Sequence, residues 1–548
     1  MRDRGDEARP DGAASMATGA ALRESSMLGW RPRWRGALTG GALTVWERAL
    51  LLALAFWMLT PLVVLSAAGG GAFNGTYGIQ VDDQFQYMAF VREAGEHWLI
   101  SNRFDVASDP HLFLDPIFLA SGLLWKLGAS IQLAFLAWQP VAAAVLFVAF
   151  AAYVRRLLGR GPAAGIALLL ALFFFTPATA LVDWLGGGPQ LRFGTLLMGL
   201  ELFTGGYPWS GAAATIAIAL MPIFLLGIER ILDGSRRTSG HGRLWYVLWT
   251  GISGLLVSWL HPWQGIILLV ILCGLWAWSR FDRRYLILAL PGALTALPLA
   301  YYELLSRTAS AWAQFSRTND FPHVGVWFVL GLAPAVLALP AMRGRHFDVQ
   351  ERLLRLWPLS TLAVYFALHS GWIYQALGGL TIPLAILAVR SLRAVRFSRL
   401  AAGVAIAVVT VPGMVFLAHT LAVTHGDHFF APAEREALAY LERVPRPGPV
   451  LARQRLGRAV PGFTGRSTWV GHYQWTPDYD ARRADAQALF GGRMPASEAQ
   501  RVVADSGAVF LLSGCDTPAD LRPALGPLVT GVHRVGCATV YEIRPRRS

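Results

Sequence analysis

Asp82 and Asp83 are adjacent carboxylates in the segment Tyr77–Glu93, which also holds Phe85, Tyr87, Phe90 and Arg92. A carboxylate within hydrogen-bond reach of a hydroxyl can take its proton as the oxygen forms a new bond. A second carboxylate beside it can orient that base, hold the hydroxyl, or join it in ligating Mg²⁺ or Mn²⁺ through oxygen. The plainer alternative is structural. From Gln84 onward, Phe85, Met88 and Ala89 fall on one helical face, the pattern of an amphipathic helix lying at an interface. Asp82 would then cap that helix, a contribution of about 1 kcal/mol. The segment alone leaves both readings open.

Other residues could complete a site. A leaving group that develops negative charge needs a cation, a donor cluster or a metal, and Arg92, Arg192 and Arg317 are the cations placed to meet a phosphate. His261 opens His261-Pro262-Trp263-Gln264, a tight turn between two apolar runs. Pro262 and Trp263 suit a turn at a membrane interface, which leaves His261 as a donor to an anion. The stretch 183–209 carries Gly186, Gly187, Gly188, Arg192 and Glu201, and reads as a loop plus an interfacial helix walling the site. The stretch 464–479 is dense in Trp and Tyr. Aromatic faces suit sugar rings and suit the core of a small domain equally.

Composition says what must hold these residues. The 548-residue chain is 54% hydrophobic and 15% charged, with mean hydropathy +0.44, whereas soluble domains carry about 25% charged residues. The net charge of +14 is almost wholly arginine, Lys126 being the only lysine. These arginines sit in short stretches between apolar runs, where they orient helices in a bilayer; nucleic acid is not the expected partner. Runs able to cross the hydrocarbon core need about 17 to 25 residues. They fall near 46–67, 132–153, 161–182, 211–228, 244–260, 263–279, 285–304, 323–341, 354–370, 373–390 and 400–421, about eleven transmembrane helices.

Sidedness follows from charge. Arginines cluster at 155–160, 230–243, 280–284, 343–355 and 390–399, and in the arm before the first run, while the long stretch 68–131 carries only Arg92, Arg103 and Lys126. Arginine excess marks the cytoplasm. The N-terminal arm, residues 1–45, is therefore expected to be a disordered cytoplasmic segment, and 68–131 a long first outer loop. The first run lies too far along the chain for a secretory signal and is expected to be a retained span. An odd number of crossings puts the C-terminus outside.

Beyond residue 425 the pattern changes to charged helical stretches and short β-like runs at 449–452, 467–474, 508–513 and 538–543, punctuated by Pro and Gly. The expected architecture is an all-α polytopic membrane domain over 46–425 and a small extracytoplasmic α/β domain over 426–548. Cys515 and Cys537 lie in that outer domain, where an oxidising compartment permits a bridge; two free thiols is the alternative.

On these residues the chain resembles the GT-C-type membrane glycosyltransferases. The resemblance is carried by Asp82-Asp83 with Phe85, Tyr87 and Phe90, by His261-Pro262, by Gly379-Leu380-Thr381-Ile382-Pro383, and by Gly471-His472 through Thr476-Pro477. It implies an inverting transfer of sugar from a polyprenyl-phosphate donor to a glycan, lipid or protein acceptor outside the bacterial inner membrane. It further implies Asp82 as base with Asp83 as partner, or the reverse, and Tyr87 facing substrate. The chain departs from many relatives in one stretch. Where they carry arginines before the late Gly-Leu segment, this chain has Trp372–Gly378 with no cation. The competing reading is a multi-span transporter or lipid flippase, which should place ionisable groups at the midplane of its spans.

Overall fold

The computed structural model describes residues 42–233, 240–317, 324–343, 347–368, 372–394, 398–516 and 520–544. The arm 1–41 and the arginines at 236, 237, 345 and 396 lie outside the described residues. Leu43–Ser548 forms one compact unit.

Among the described residues, helices run through the expected apolar stretches, but fewer than eleven are long and apolar enough to cross a membrane. Five helices are long and apolar enough to cross a membrane: Val45–Ala68, Ile131–Leu158, Ala212–Asp233, Arg283–Thr308 and Leu400–Val423. A sixth is Pro162–Phe173 with Pro177–Trp184, bent by 47°. The bend has a local cause. Pro177 lacks an N–H and drives Thr176 to extended backbone, ψ 124°. Of the remaining expected spans, Gly240–Leu260 and Val349–Ala367 are continuous helices of 21 and 19 residues that are not apolar enough to count as spans by the same measure. Pro262–Trp278 and Val326–Met342 are shorter or interrupted. In the latter, Pro334 and Pro340 divide an apolar run into a short α-helix, a 3-10 stretch over Ala333–Ala338 and a last turn. The chain is a membrane protein by these helices.

Paired charges brace the spans where they occur. Glu47 closes a capping box with Thr44 at the start of Val45–Ala68 and is bound by Arg155. Arg156 binds Glu229 on the helix Ala212–Asp233. Both glutamates are buried, and a buried carboxylate persists only when paired.

The C-terminal part builds a four-stranded sheet. With β1 as Ala72–Phe73 and β2 as Phe429–Phe430, the later strands are β3 Val450–Ala452, β4 Phe510–Ser513, β5 Val529–Val535 and β6 Ala538–Ile543. The sheet order is β3-β4-β6-β5, parallel between β3 and β4 and antiparallel elsewhere. Cys515 and Cys537 are bonded, tying the end of β4 to the β5–β6 turn. The expected strand over 467–474 is a loop that meets β3 through one bridge, Thr468 with Val450. β5 was not expected from its sequence, and a register shift between Val529 and Gly531 interrupts its alternation. The small β1–β2 pair, with Ala72 opposite Phe430, fastens the first loop to the start of this C-terminal part.

Candidate active site

Asp82 and Asp83 occupy the first turn of the helix Val81–His97, and neither caps it. The N-cap is Gln80, in left-handed backbone at φ 58°. The preceding loop is instead reeled in by the Gln84 side chain. Its Oε1 accepts from the Tyr77 N–H at 2.6 Å, and its Nε2 donates to the carbonyls of Tyr77 and Trp209 at 2.9 and 3.1 Å. Carboxylates in a first turn also meet the positive end of the helix dipole.

The two aspartates then part company. Asp82 turns toward the C-terminal part, where Arg458 and Gln454 donate to its Oδ1 at 2.7 and 3.0 Å. Asp83 turns into a cavity of about 450 Å³. Helical spacing explains the split: Gln86, Tyr87 and Phe90 lie three, four and seven residues after Asp83, on its face, and all line the same cavity.

His472 holds Asp83 in place. It is fully buried, and its Nε2 lies 3.0 Å from Asp83 Oδ1. Its Nδ1 accepts from the Gln474 N–H at 3.2 Å. With Nδ1 accepting, the proton of a neutral ring sits on Nε2, so the imidazole donates to the carboxylate.

Two further buried carboxyls line the cavity that the sequence did not single out for chemistry. Asp115 is 4% exposed and caps the helix Pro116–Lys126, accepting from the Ile117 and Phe118 N–H groups at 2.8 and 3.1 Å. Burial pushes its pKa up to about 7, against those two hydrogen bonds. Glu201, on the helix Pro189–Leu202, accepts from the Tyr207 hydroxyl. Burial raises it to about 7 as well, with the charge of Asp83 adding and the Tyr207 bond opposing. Tyr87 stands among all three: burial raises its phenol first, and the charges of Asp83, Asp115 and Glu201 raise it further. Glu303 also lines the cavity, and no lysine or arginine does among the described residues. The cavity lining is both acidic and aromatic.

One cluster of aromatic lining residues is built from two elements. Phe315 and Trp312, on the helix Ser310–Arg317, meet Trp475 at ring separations of 4.7 and 5.2 Å, the Phe315 pair stacked and the Trp312 pair edge-on. The stretch 464–479 thus delivers both His472 and Trp475 to the cavity region.

His261 lines the cavity at the N-cap of Pro262–Trp278. Burial lowers its pKa to about 4, so at neutral pH it meets an anion as a neutral donor. The next turn is fixed to the late loop: Trp263 Nε1 donates to Gln375 Oε1 at 2.9 Å, and Gln264 Nε2 to the Gln375 and Gly378 carbonyls at 2.8 and 3.2 Å. Gly378 permits this approach, since a Cβ there would lie 2.8 Å from the Tyr207 hydroxyl. From the 183–209 stretch, Leu200, Glu201, Phe203, Gly206 and Tyr207 line the cavity.

The expected phosphate cations stand elsewhere. Arg92 lies nine residues beyond Asp83, about half a turn out of phase. It binds Glu96 and Glu442 at 3.0 and 2.9 Å and covers the Trp125 ring. Arg192 is solvent-exposed beside Asp183, 4.0 Å away, and Arg317 is exposed at the end of its helix. None of the three lines the cavity. Asp82 and Asp83, the carboxylates expected to hold any Mg²⁺ or Mn²⁺, are engaged by different partners. Among the described residues, the group of metal-ligating side chains whose donor atoms lie within 4.8 Å of one another is Glu93, His97 and His111, outside the cavity.

No protein-family model matches the chain, and no curated protein does. Solved structures of similar outline exist. The oligosaccharyltransferase of Archaeoglobus fulgidus in the apo form aligns over 89% of this chain and 73% of its own, at 12% identity and TM-score 0.47. ArnT from Cupriavidus metallidurans bound to undecaprenyl phosphate aligns over 91% of this chain and 97% of its own, at 13% identity and TM-score 0.48. The archaeal oligosaccharyltransferase AglB from Archaeoglobus fulgidus, with an inhibitory peptide and a dolichol-phosphate, aligns over 91% and 74%, at 14% identity and TM-score 0.41. At these scores the similarity is one of coarse architecture, and the reading of the site rests on its own residues.

Proposed function

We propose that the chain is an inverting membrane glycosyltransferase that moves a sugar from a polyprenyl-phosphate donor to an acceptor outside the bacterial plasma membrane. Eleven crossings, with the arginine-rich side and N-terminus in the cytoplasm, put the 426–548 domain and the cavity on the outer side. Asp83 is the base. The observation that carries the reading is Asp83 itself: a carboxylate lining a cavity of about 450 Å³, with Oδ1 held by His472.

The reaction is a single displacement. The acceptor hydroxyl oxygen attacks the anomeric carbon, its proton passes to Asp83, and the bond from that carbon to the phosphate oxygen breaks with its electron pair leaving on the polyprenyl phosphate. Asp115 and Glu201, each with a pKa near 7, are protonated in part at neutral pH and can donate to sugar hydroxyls as well as accept from them. The Trp312, Phe315 and Trp475 rings give apolar faces of the kind sugar rings stack on. A divalent cation, if one serves the departing phosphate, would be drawn by the acidic lining. His261 would donate to a phosphate oxygen as a neutral imidazole.

The test is transfer in purified membranes from radiolabelled polyprenyl-phosphate sugars. Label passing from donor lipid to an acceptor in the wild type supports the reading. Intact donor carried across reconstituted vesicles with no covalent product would replace it with the transporter.

A further inference from the structure

We propose that Glu93, His97 and His111 bind a divalent transition-metal ion of the zinc class at a site separate from the cavity. The ion would pin the acidic helix to the loop that carries Asp115. This goes beyond the transferase reading and does not depend on it.

Glu93 and His97 are four residues apart on the helix Val81–His97, so their side chains share one face. His111 comes from the following loop. That loop is closed by the antiparallel bridge between Ile100 and Phe113 and by the Asn102 N–H on Asp109 at 2.7 Å. The donor atoms of the three residues lie within 4.8 Å of one another. Two ligands on one tetrahedral zinc stand about 3.4 Å apart, so a small closure suffices; the exposed His97, whose Nε2 stands 3.8 Å from Glu96 Oε2, would leave that long contact to make it.

The chemistry of the three groups favours a metal over a plain ion pair. Glu93 is 2% exposed and already oriented: Arg103 donates to Oε1 and Ser101 to Oε2, each at 2.7 Å. Metal-ligating carboxylates carry such outer hydrogen bonds. The Nε2 of His111 lies 3.2 Å from Glu93 Oε2, shut off from solvent, yet it makes no well-formed hydrogen bond. The His97 and His111 rings stand 4.2 Å apart. Two imidazole nitrogens and one carboxylate oxygen suit zinc, and magnesium or manganese much less. Three protein ligands leave the fourth position to water. Phe113 and Asp115 follow His111 directly into the cavity lining, so a metal here would fix the position of Asp115.

The experiment uses the full chain in detergent, stripped with chelator and then titrated with Zn²⁺ alone. Bound metal is read by elemental analysis and by thermal unfolding, and Co²⁺ absorption reports the coordination geometry. The comparison is wild type with His97→Ala, His111→Ala and, as a remote control, His425→Ala. The wild type and His425→Ala should bind one Zn²⁺ per chain, gain thermal stability with it, and give the visible band of tetrahedral cobalt. His97→Ala and His111→Ala, which remove a ligand itself, should lose at least the roughly 100-fold in affinity that loss of an outer partner can cost and the band with it, while unfolding at the wild-type temperature in chelator. Wild-type protein that takes up no Zn²⁺, or equal uptake in all four proteins, would overturn the site.

Discussion

His472 Nε2 meets Asp83 Oδ1 at 3.0 Å across 389 residues of sequence. One end of the chain thereby orients a carboxylate near the other, and the Nδ1 bond from Gln474 fixes which nitrogen donates. A histidine that donates to one oxygen of a base leaves the other for the substrate, while keeping the carboxylate from rotating. Removing such an orienting contact misplaces the base rather than abolishing it. His472→Ala should lower kcat by about 10-fold to 100-fold, less than loss of a base itself. His472→Gln, which retains a donor at comparable reach, should recover part of it. The check is kcat and KM for both variants, with circular dichroism to establish that each is folded.

Arg458 lies between Asp82 and Asp427, at 2.7 and 3.3 Å, and over the Phe85 ring at 5.1 Å. Its role in this account is to fasten the acidic helix to the C-terminal part. Arg458→Ala should cost about 1–2 kcal/mol of stability, since both carboxylates are partly solvent-exposed and the pairs are screened. Asp82→Asn should cost less, because an amide oxygen still accepts from Arg458. Thermal unfolding of both variants measures the difference.

Asp115 and Glu201 make stability depend on pH in an unusual direction. Both carboxyls have pKa values raised by burial to about 7, above the unfolded values of about 4. The native state therefore binds more protons than the unfolded state between these limits. Stability from these groups is full below about pH 4 and is lost as pH rises toward 7. Asp115→Asn and Glu201→Gln, which cannot ionise, should each flatten the fall in unfolding temperature across that window. An unchanged slope in both would contradict the protonation assigned to this cavity.

The bond between Cys515 and Cys537 closes a loop of 22 residues, worth about 3 kcal/mol by loop entropy. Serine at both positions should lower the unfolding temperature of the C-terminal part. Blocking of free thiols in intact cells, followed by denaturation and labelling, should find the pair protected, as an oxidising outer compartment requires.

Part of the candidate site is legible in the sequence, and the rest depends on local backbone or long-range packing. The apolar spacing from Gln84 onward predicts the helix, though not its start at Val81, and Asp83, Tyr87 and His261 are sequence candidates that line the cavity. Which aspartate faces the cavity depends on the helix starting after Gln80 in left-handed backbone, a conformation unusual for glutamine. Arg92 follows Asp83 by two and a half turns, so the same periodicity that placed Tyr87 places Arg92 on the opposite face. Asp115 before Pro116 carries only the signature of a helix cap, which it is; its burial comes from residues distant in sequence. Glu201 lay in the stretch read as a wall, but no local pattern announces its bond from Tyr207. Among the spans, Pro177, Pro334 and Pro340 break runs that hydropathy alone treats as continuous.

The most direct measurement is sugar transfer by Asp83→Asn beside Asp82→Asn, each purified in the amount and with the unfolding temperature needed to show that it is folded. Asp83→Asn should lose at least about 100-fold of the wild-type rate, the scale of a general base. Asp82→Asn should keep most of its rate, because its partner is Arg458 and not the substrate. Full transfer by Asp83→Asn, or a collapse confined to Asp82→Asn, would contradict the account.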